Sequence, residues 1–93
     1  MDLPSLIKDD LADVLPDLMT AGLVLTSCQF SQEAFGNFLV SFTGGKSGLD
    51  ITRDRGEYFL GGNRQLLQQI GYWRALNKQE LADGVRSFLA AAA

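Results

Sequence analysis

The chain has 93 residues, of which 46% are hydrophobic and 20% charged, and it contains one cysteine and no histidine. This length and composition predict a single globular domain, residues 1–93, built around one modest core. With Cys28 alone and no histidine, an internal disulfide, a Cys/His zinc site and a histidine-based catalytic triad are excluded.

The net charge of −3 is unevenly distributed along the chain. Residues 1–33 contain six acidic residues and one lysine, whereas residues 34–93 contain five acidic and seven basic residues. A nucleic-acid-binding protein usually presents a net basic face, so we expect no nucleic-acid partner. The acidic first third of the chain favours a basic protein as the partner.

The first predicted element is an amphipathic helix near the N-terminus. Apolar residues recur there at helical spacing from Leu3 to Met19. Asp2 is suited to cap the start of this helix, and Gly22 is suited to end it. Pro16 cannot donate to the helical hydrogen-bond ladder. The pattern therefore leaves open whether Pro16 kinks the helix or divides it into two.

Four aspartates accompany this helix, and they are Asp9, Asp10, Asp13 and Asp17. We interpret Asp9 and Asp10 as exposed residues opposite the apolar stripe. Aspartates four residues apart would suit a divalent cation, a solvated surface or a docking surface for a basic protein. We predict no metal site here and favour the docking surface.

Four strands are predicted to follow, the first because it is rich in β-branched and apolar residues and the other three because residues alternate with a period of two. They span residues 23–30, 37–43, 49–54 and 57–60. Their short connections favour an antiparallel meander.

Two helices are predicted after the strands. Asn63 is suited to cap the first, whose apolar stripe includes Trp73, and a break is expected within residues 71–76. Asn77 and Glu80 have the spacing of a capping box for the last helix. The fold class is therefore α+β, a four-stranded antiparallel meander with N-terminal and C-terminal helices on one face, in the order α-β-β-β-β-α-α.

The glycine-rich connection between the second and third strands contains Gly45–Ser47, which is similar to the end of a phosphate-binding loop. A complete loop would need a glycine at the position of Val40, and it would precede a helix rather than a strand. We therefore predict a hairpin turn and no cofactor.

The next connection places Arg53, Asp54, Arg55 and Glu57 around Gly56. These residues suit a short hairpin loop with Gly56 in a left-handed conformation. Exposed arginines at such a tip also suit a contact with a protein partner. Catalysis would need a nucleophile or a tuned acid beside them, and none lies nearby in the sequence, so we predict no enzyme.

Part of this region resembles a known protein family. Phe35-Gly36-Asn37, followed by Arg53-Asp54-Arg55-Gly56-Glu57, is similar to a pattern of small bacterial immunity-type proteins, which neutralise toxins. The resemblance implies a small α+β inhibitor that acts by occluding its target.

We accordingly expect a non-catalytic protein-binding module, with a basic toxin or nuclease as the protein partner. The acidic N-terminal segment MDLPSLIKDD is unlike a signal peptide, so we expect a cytoplasmic protein without a membrane association. The alternative is an assembly domain that forms a homodimer through a sheet edge or the last helix. The predicted partner-binding residues are Asp9, Asp10, Asp13, Asp17, Arg53, Arg55 and Glu57.

Overall fold

The computed structural model of the protein describes residues 3–31, 37–44, 48–71 and 74–92. Within these ranges the chain forms an α+β fold in which one antiparallel sheet is flanked by helices. The helices are α1 (Ser5–Leu11), α2 (Leu15–Thr20), α3 (Arg64–Ile70) and α4 (Lys78–Ala92). The strands are β1 (Leu23–Ser31), β2 (Asn37–Gly44), β3 (Leu49–Asp54), β4 (Glu57–Gly62) and β5 (Arg74–Ala75).

The sheet has the order β1-β2-β3-β4-β5, and every neighbouring pair is antiparallel. The predicted meander is confirmed for β1 to β4. The strand β5 is an addition, because Ala75 pairs with Tyr58 and Arg74 pairs with Phe59 at the edge of β4. Two residues are too few to show a period of two, so sequence periodicity does not reveal such a strand.

Pro16 divides the predicted first helix into α1 and α2. It lies in the first turn of α2, where its missing N–H has no helical acceptor to lose. Gly22 follows the end of α2 with a φ of 82°, so its predicted role as a helix stop is confirmed. Asp2 lies outside the described residues, and Pro4 is the residue that precedes α1.

The C-terminal helices begin where the sequence predicts. Asn63 Oδ1 accepts hydrogen bonds from the backbone N–H groups of Gln65 (2.9 Å) and Leu66 (3.2 Å). Asn77 Oδ1 accepts from the N–H of Glu80 at 2.9 Å, and the Glu80 carboxylate reaches back to the N–H of Leu76 at 3.0 Å. The second contact ends one residue earlier than in a standard capping box.

The helices cover one face of the sheet, as predicted. On β2, Phe38, Val40 and Phe42 are buried, while the intervening Leu39 and Ser41 are half-buried on the other face. The buried residues of helices and strands form one hydrophobic cluster. Its fully enclosed members include Ile7, Leu11, Val14, Leu18, Val40, Leu49, Ile51, Leu81, Val85 and Phe88. The chain therefore has one helical layer packed on one sheet.

None of the helices in the described part of the chain is both long enough and apolar enough to cross a membrane.

Candidate functional site

The β3–β4 hairpin closes with a two-residue turn between Asp54 and Glu57, which pair directly across the strands. Arg55 has a φ of 56° and Gly56 a φ of 81°, so both central residues are left-handed. This is the pattern of a type I′ turn, whose twist matches that of the strands it joins. The predicted left-handed conformation of Gly56 is therefore confirmed.

A side chain from the start of β2 holds this turn in place. The backbone N–H of Arg55 donates to Asn37 Oδ1 at 2.9 Å, and Asn37 Nδ2 donates to Asp54 Oδ1 at 3.3 Å. The asparagine thus uses its acceptor and its donor on two successive residues of the turn. Asn37 and the Arg53–Glu57 segment, two parts of the sequence pattern quoted above, are one structural unit. Phe35 and Gly36 lie outside the described residues.

Arg55 occupies a backbone conformation that disfavours its residue type. A left-handed φ costs an L-residue about 1–2 kcal/mol, and glycine or asparagine is preferred at this position of the turn. The side chain of Arg55 is exposed and makes no ion pair with any described residue. The turn therefore presents a guanidinium group to solvent at its tip, at an energetic cost to the fold.

Asp10 corrects the interpretation of α1, because it is buried, with 8% of its surface exposed. Its position follows that of Ile7 by three residues, which places it on the apolar face of α1 rather than opposite to it. Asp10 Oδ2 lies 3.5 Å from Arg53 Nη1, and Asp10 Oδ1 lies 3.6 Å from Lys78 Nζ. The carboxylate therefore links α1 to β3 and α4.

Tyr58 on β4 completes this buried cluster. Removal from water raises the pKa of its hydroxyl above the ordinary 10.0, and the negative charge of Asp10 and a hydrogen bond to it raise the pKa further. The positive charge of Arg53 offsets part of this increase. The cluster joins four elements through charge and hydrogen bonding, and it lies on the helical side of the sheet.

Two other predicted partner-binding residues are engaged within the protein. Asp17 on α2 accepts a hydrogen bond from Arg86 Nε on α4 at 3.1 Å. Glu57 on β4 pairs with Arg74 on β5, and this hydrogen bond raises the pKa of Arg74. Both ion pairs tie neighbouring elements together at the surface.

The predicted set therefore does not form one patch. Arg53 faces the helices, where it meets Asp10, while Glu57 lies on the opposite face of the sheet, since Tyr58 beside it is buried. The exposed members without an ion pair to a described residue are Asp9, Asp13 and Arg55. Asp9 precedes Asp10 on α1, and Asp13 lies in the turn that follows α1. Asp10 itself pairs with Arg53, two residues before Arg55 in the chain. We refer to Asp9, Asp13 and Arg55 as the exposed charges.

The glycine-rich connection joins two antiparallel strands, β2 and β3, in which Phe42 pairs with Leu49. This arrangement agrees with a hairpin, although Gly45–Ser47 themselves lie outside the described residues. Trp73, which the sequence pattern placed on the apolar stripe of a helix, also lies outside the described residues. Among residues 3–31, 37–44, 48–71 and 74–92, no three acidic, cysteine or histidine side chains are placed together to hold a metal ion.

An apolar region that sequence reasoning missed lies along β1. Met19, which the helical pattern assigned to the core, is 74% exposed on α2, and Val24 on β1 is 61% exposed. Between them runs a groove lined mainly by apolar side chains, including Leu15 and Leu25, with Lys8 as a charged member. A signal was present in the sequence, because the segment LVLTSCQFS of β1 contains no charged residue.

Comparison with known proteins gave no match to any family model, any curated protein or any solved structure.

Proposed function

We propose that this chain is a cytoplasmic, non-catalytic protein-binding module of the immunity or inhibitor type, which neutralises a toxin or another enzyme by occluding it. The observation that carries the proposal is the presentation of Arg55. An exposed arginine in a left-handed conformation adds nothing to the turn that asparagine or glycine would not provide at lower cost. Strain of this kind is typical of residues retained for contact with another molecule.

The exposed charges, Asp9, Asp13 and Arg55, support a protein partner rather than a small ligand. Asp9 and Asp13 are exposed on either side of the buried Asp10, which pairs with Arg53 on β3, and Arg55 is exposed at the tip of the hairpin that β3 begins. Arginine provides a bidentate contact for a partner carboxylate, and exposed aspartates accelerate the approach of a basic partner. The arrangement suits a basic enzyme that also carries an acidic side chain at the contact.

Asn37 belongs to the sequence pattern that resembles immunity-type proteins, and it supports the turn that carries Arg55. Its two hydrogen bonds, to Asp54 and Arg55, connect the start of β2 to the turn that follows the next strand, β3. The pattern thus describes a turn that is built to hold one arginine in place. A turn held in this way loses little conformational entropy when it binds.

The test begins with a tagged form of the protein in its native host. Copurification should recover a stoichiometric partner, and the purified partner should lose its enzymatic activity when the protein is added. Binding is then measured for Arg55→Asn, in which the turn keeps a favoured residue but loses the guanidinium. We expect at least about a tenfold weaker affinity, as for an arginine at an interface hot spot, with unchanged or higher folding stability.

Asp9→Asn combined with Asp13→Asn tests the electrostatic part separately. We expect a slower association rate and a weaker dependence of that rate on salt, with little change in the dissociation rate. Asp83→Asn is the matched control, because it removes an exposed carboxylate from α4 instead. Failure to recover any partner, or an Arg55→Asn variant that binds like the wild type, would overturn the proposal.

A further inference from the structure

The strand β1 is an unusually open edge of the sheet. It is nine residues long and contains no charge, proline or glycine, and within the described residues its neighbour in the sheet is β2 alone. The opposite edge is the two-residue β5, which carries Arg74. Proteins normally protect an edge with charges, prolines, bulges or short strands, because unpaired backbone groups recruit other strands. By these criteria β5 is protected, while β1 has only a bulge, between Leu25 and Ser27.

The helical layer also leaves the β1 edge partly uncovered. Leu25, Cys28 and Phe30 are half-buried. Their partners on β2 are Phe42, Val40 and Phe38, and each of these is at most 3% exposed. The core-facing side chains of β1 therefore meet apolar neighbours on the β2 side and remain open on the other.

The exposed apolar surface continues from β1 onto α2. Met19 and Val24, among the most exposed large hydrophobic residues in the described part of the chain, border the same groove. Contiguous apolar surface of this kind marks an interface more often than a solvated surface. This surface therefore combines exposed apolar side chains with the backbone groups at the edge of β1 that no described strand pairs.

We propose that β1 pairs antiparallel with β1 of a second copy of this chain, so that two sheets join edge to edge. The absence of charge selects this occupant. In a two-fold interface each residue meets the same strand, and a charged strand would place like charges near one another. β1 brings no charge to such a pairing, and it offers no carboxylate to a basic partner. The half-buried Cys28 and Phe30 of the two copies then form one continuous apolar layer.

The bulge limits where the two strands meet. It kinks β1 at Thr26, whose hydroxyl donates to the carbonyl of Ser41 at 3.1 Å. The backbone from Ser27 to Ser31 pairs regularly with β2 beyond this point. The pairing between copies is centred on this segment, which places the two Cys28 side chains opposite or diagonal to each other, within about 8 Å.

The oligomeric state tests this proposal directly. Sedimentation and light scattering of the wild type should show a dimer at micromolar concentration. Gln29 is exposed and lies within the paired segment, so Gln29→Lys places two positive charges near the two-fold axis without disturbing the core. We expect its dimer dissociation constant to rise at least tenfold. Thr43→Lys, an exposed change on the interior strand β2, is the matched control and should dimerise like the wild type.

The single cysteine supplies a second measurement. A short bis-maleimide should cross-link two wild-type chains through Cys28, and Gln29→Lys should remove most of the cross-linked product. A protein that remains monomeric across the concentration range overturns the proposal, even if another protein occupies β1. So does a dimer that forms equally well in Gln29→Lys. Neither result affects the proposed role of Arg55, which lies on a different element.

Discussion

A carboxylate that is almost completely removed from water is stable only when donors or cations surround it. Asp10 meets this condition through the charges of Arg53 and Lys78, at 3.5 Å and 3.6 Å, and through the nearby hydroxyl of Tyr58, although its Oδ2 accepts no hydrogen bond from the described residues. The side chain of Arg53 is itself only 22% exposed, so its charge also depends on Asp10. The polar contacts of this cluster join the first helix, α1, to the sheet and to the last helix, α4.

We predict that Asp10→Asn lowers the free energy of unfolding by about 2 kcal/mol, because it leaves partly buried cations without their counter-ion. The change preserves the size of the side chain, so packing is not the cause. Urea denaturation measures the difference. Asp9→Asn removes the adjacent, exposed charge, and it should change stability by less than about 0.5 kcal/mol. Equal stabilities of the two variants would show that the buried ion pairs contribute nothing.

The raised pKa of Tyr58 predicts that the protein loses stability in alkaline solution. Its pKa in the folded protein lies above the ordinary 10.0, so the unfolded chain releases this proton first as the pH rises. Between those two pKa values the folded state binds more protons, and stability therefore falls with increasing pH. Urea denaturation at a series of pH values from about 8 to 11 should reveal this decline. In Tyr58→Phe the decline should be shallower; an identical slope would contradict the assignment.

At the scale of elements, two glycines let backbone segments approach closely at one end of the sheet. Gly44, at the end of β2, has a φ of 120°, and a Cβ added there would lie 2.4 Å from the carbonyl oxygen of Gly22. Gly62, at the end of β4, has a φ of 118°, and its added Cβ would lie 2.7 Å from the carbonyl oxygen of Gly48. Both contacts involve backbone atoms, which cannot rotate away as a side chain can.

We predict that Gly44→Ala destabilises the protein by about 2 kcal/mol or more, because it adds a steric clash to an unfavourable φ. Gly56→Ala is the matched control, since Gly56 also has a positive φ but an added Cβ would meet nothing within 4 Å. The control should lose only about 1 kcal/mol. Thermal unfolding of the two variants separates the contribution of the clash from that of the backbone conformation. A smaller loss in Gly44→Ala than in Gly56→Ala would contradict the close approach of Gly44 and Gly22.

At the scale of the whole molecule, α4 is the longest helix in the described part of the chain, and it closes the core. Phe88 is fully buried in α4 and belongs to the same hydrophobic cluster as Ile7 of α1 and Ile51 of β3. A domain of this size has a total stability of only about 5–15 kcal/mol. One large side chain in α4 therefore supports a substantial share of the fold.

We predict that Phe88→Ala costs about 3–5 kcal/mol, since the change leaves a cavity at the centre of the core. Leu89→Ala, at the next residue and only half-buried, should cost clearly less. Circular dichroism in urea should show helices and sheet melting together in both variants, because they share one core. Loss of α4 alone, with the sheet retained, would contradict a single cooperative unit.

Local signals explain the parts of the fold that the sequence predicts well. The period of two in β2, β3 and β4 follows from the pleat of a strand, and Asn63 and Asn77 cap helices through bonds within three residues. The position of Pro16 near the start of α2 follows from its missing N–H. Each of these features depends on residues that are close in the chain.

The candidate site could be predicted only in part. Gly56 indicated a turn in the sequence. No local pattern indicated that Asn37, 18 residues away, accepts a hydrogen bond from the backbone N–H of Arg55. The exposure of Arg55 followed from its place in a turn, whereas its freedom from internal ion pairs depends on where the other charges lie.

The sequence by itself determined the α+β class, the order of the main elements and the β3–β4 turn, because these depend on backbone sterics and on contacts within a few residues. Tertiary structure alone decided that Asp10 pairs with Arg53 and Lys78, that Met19 is exposed and that Arg74 and Ala75 form a fifth strand. Each of these outcomes depends on which elements pack together. Residues far apart in the chain then determine how much water, and which charges, surround a given side chain.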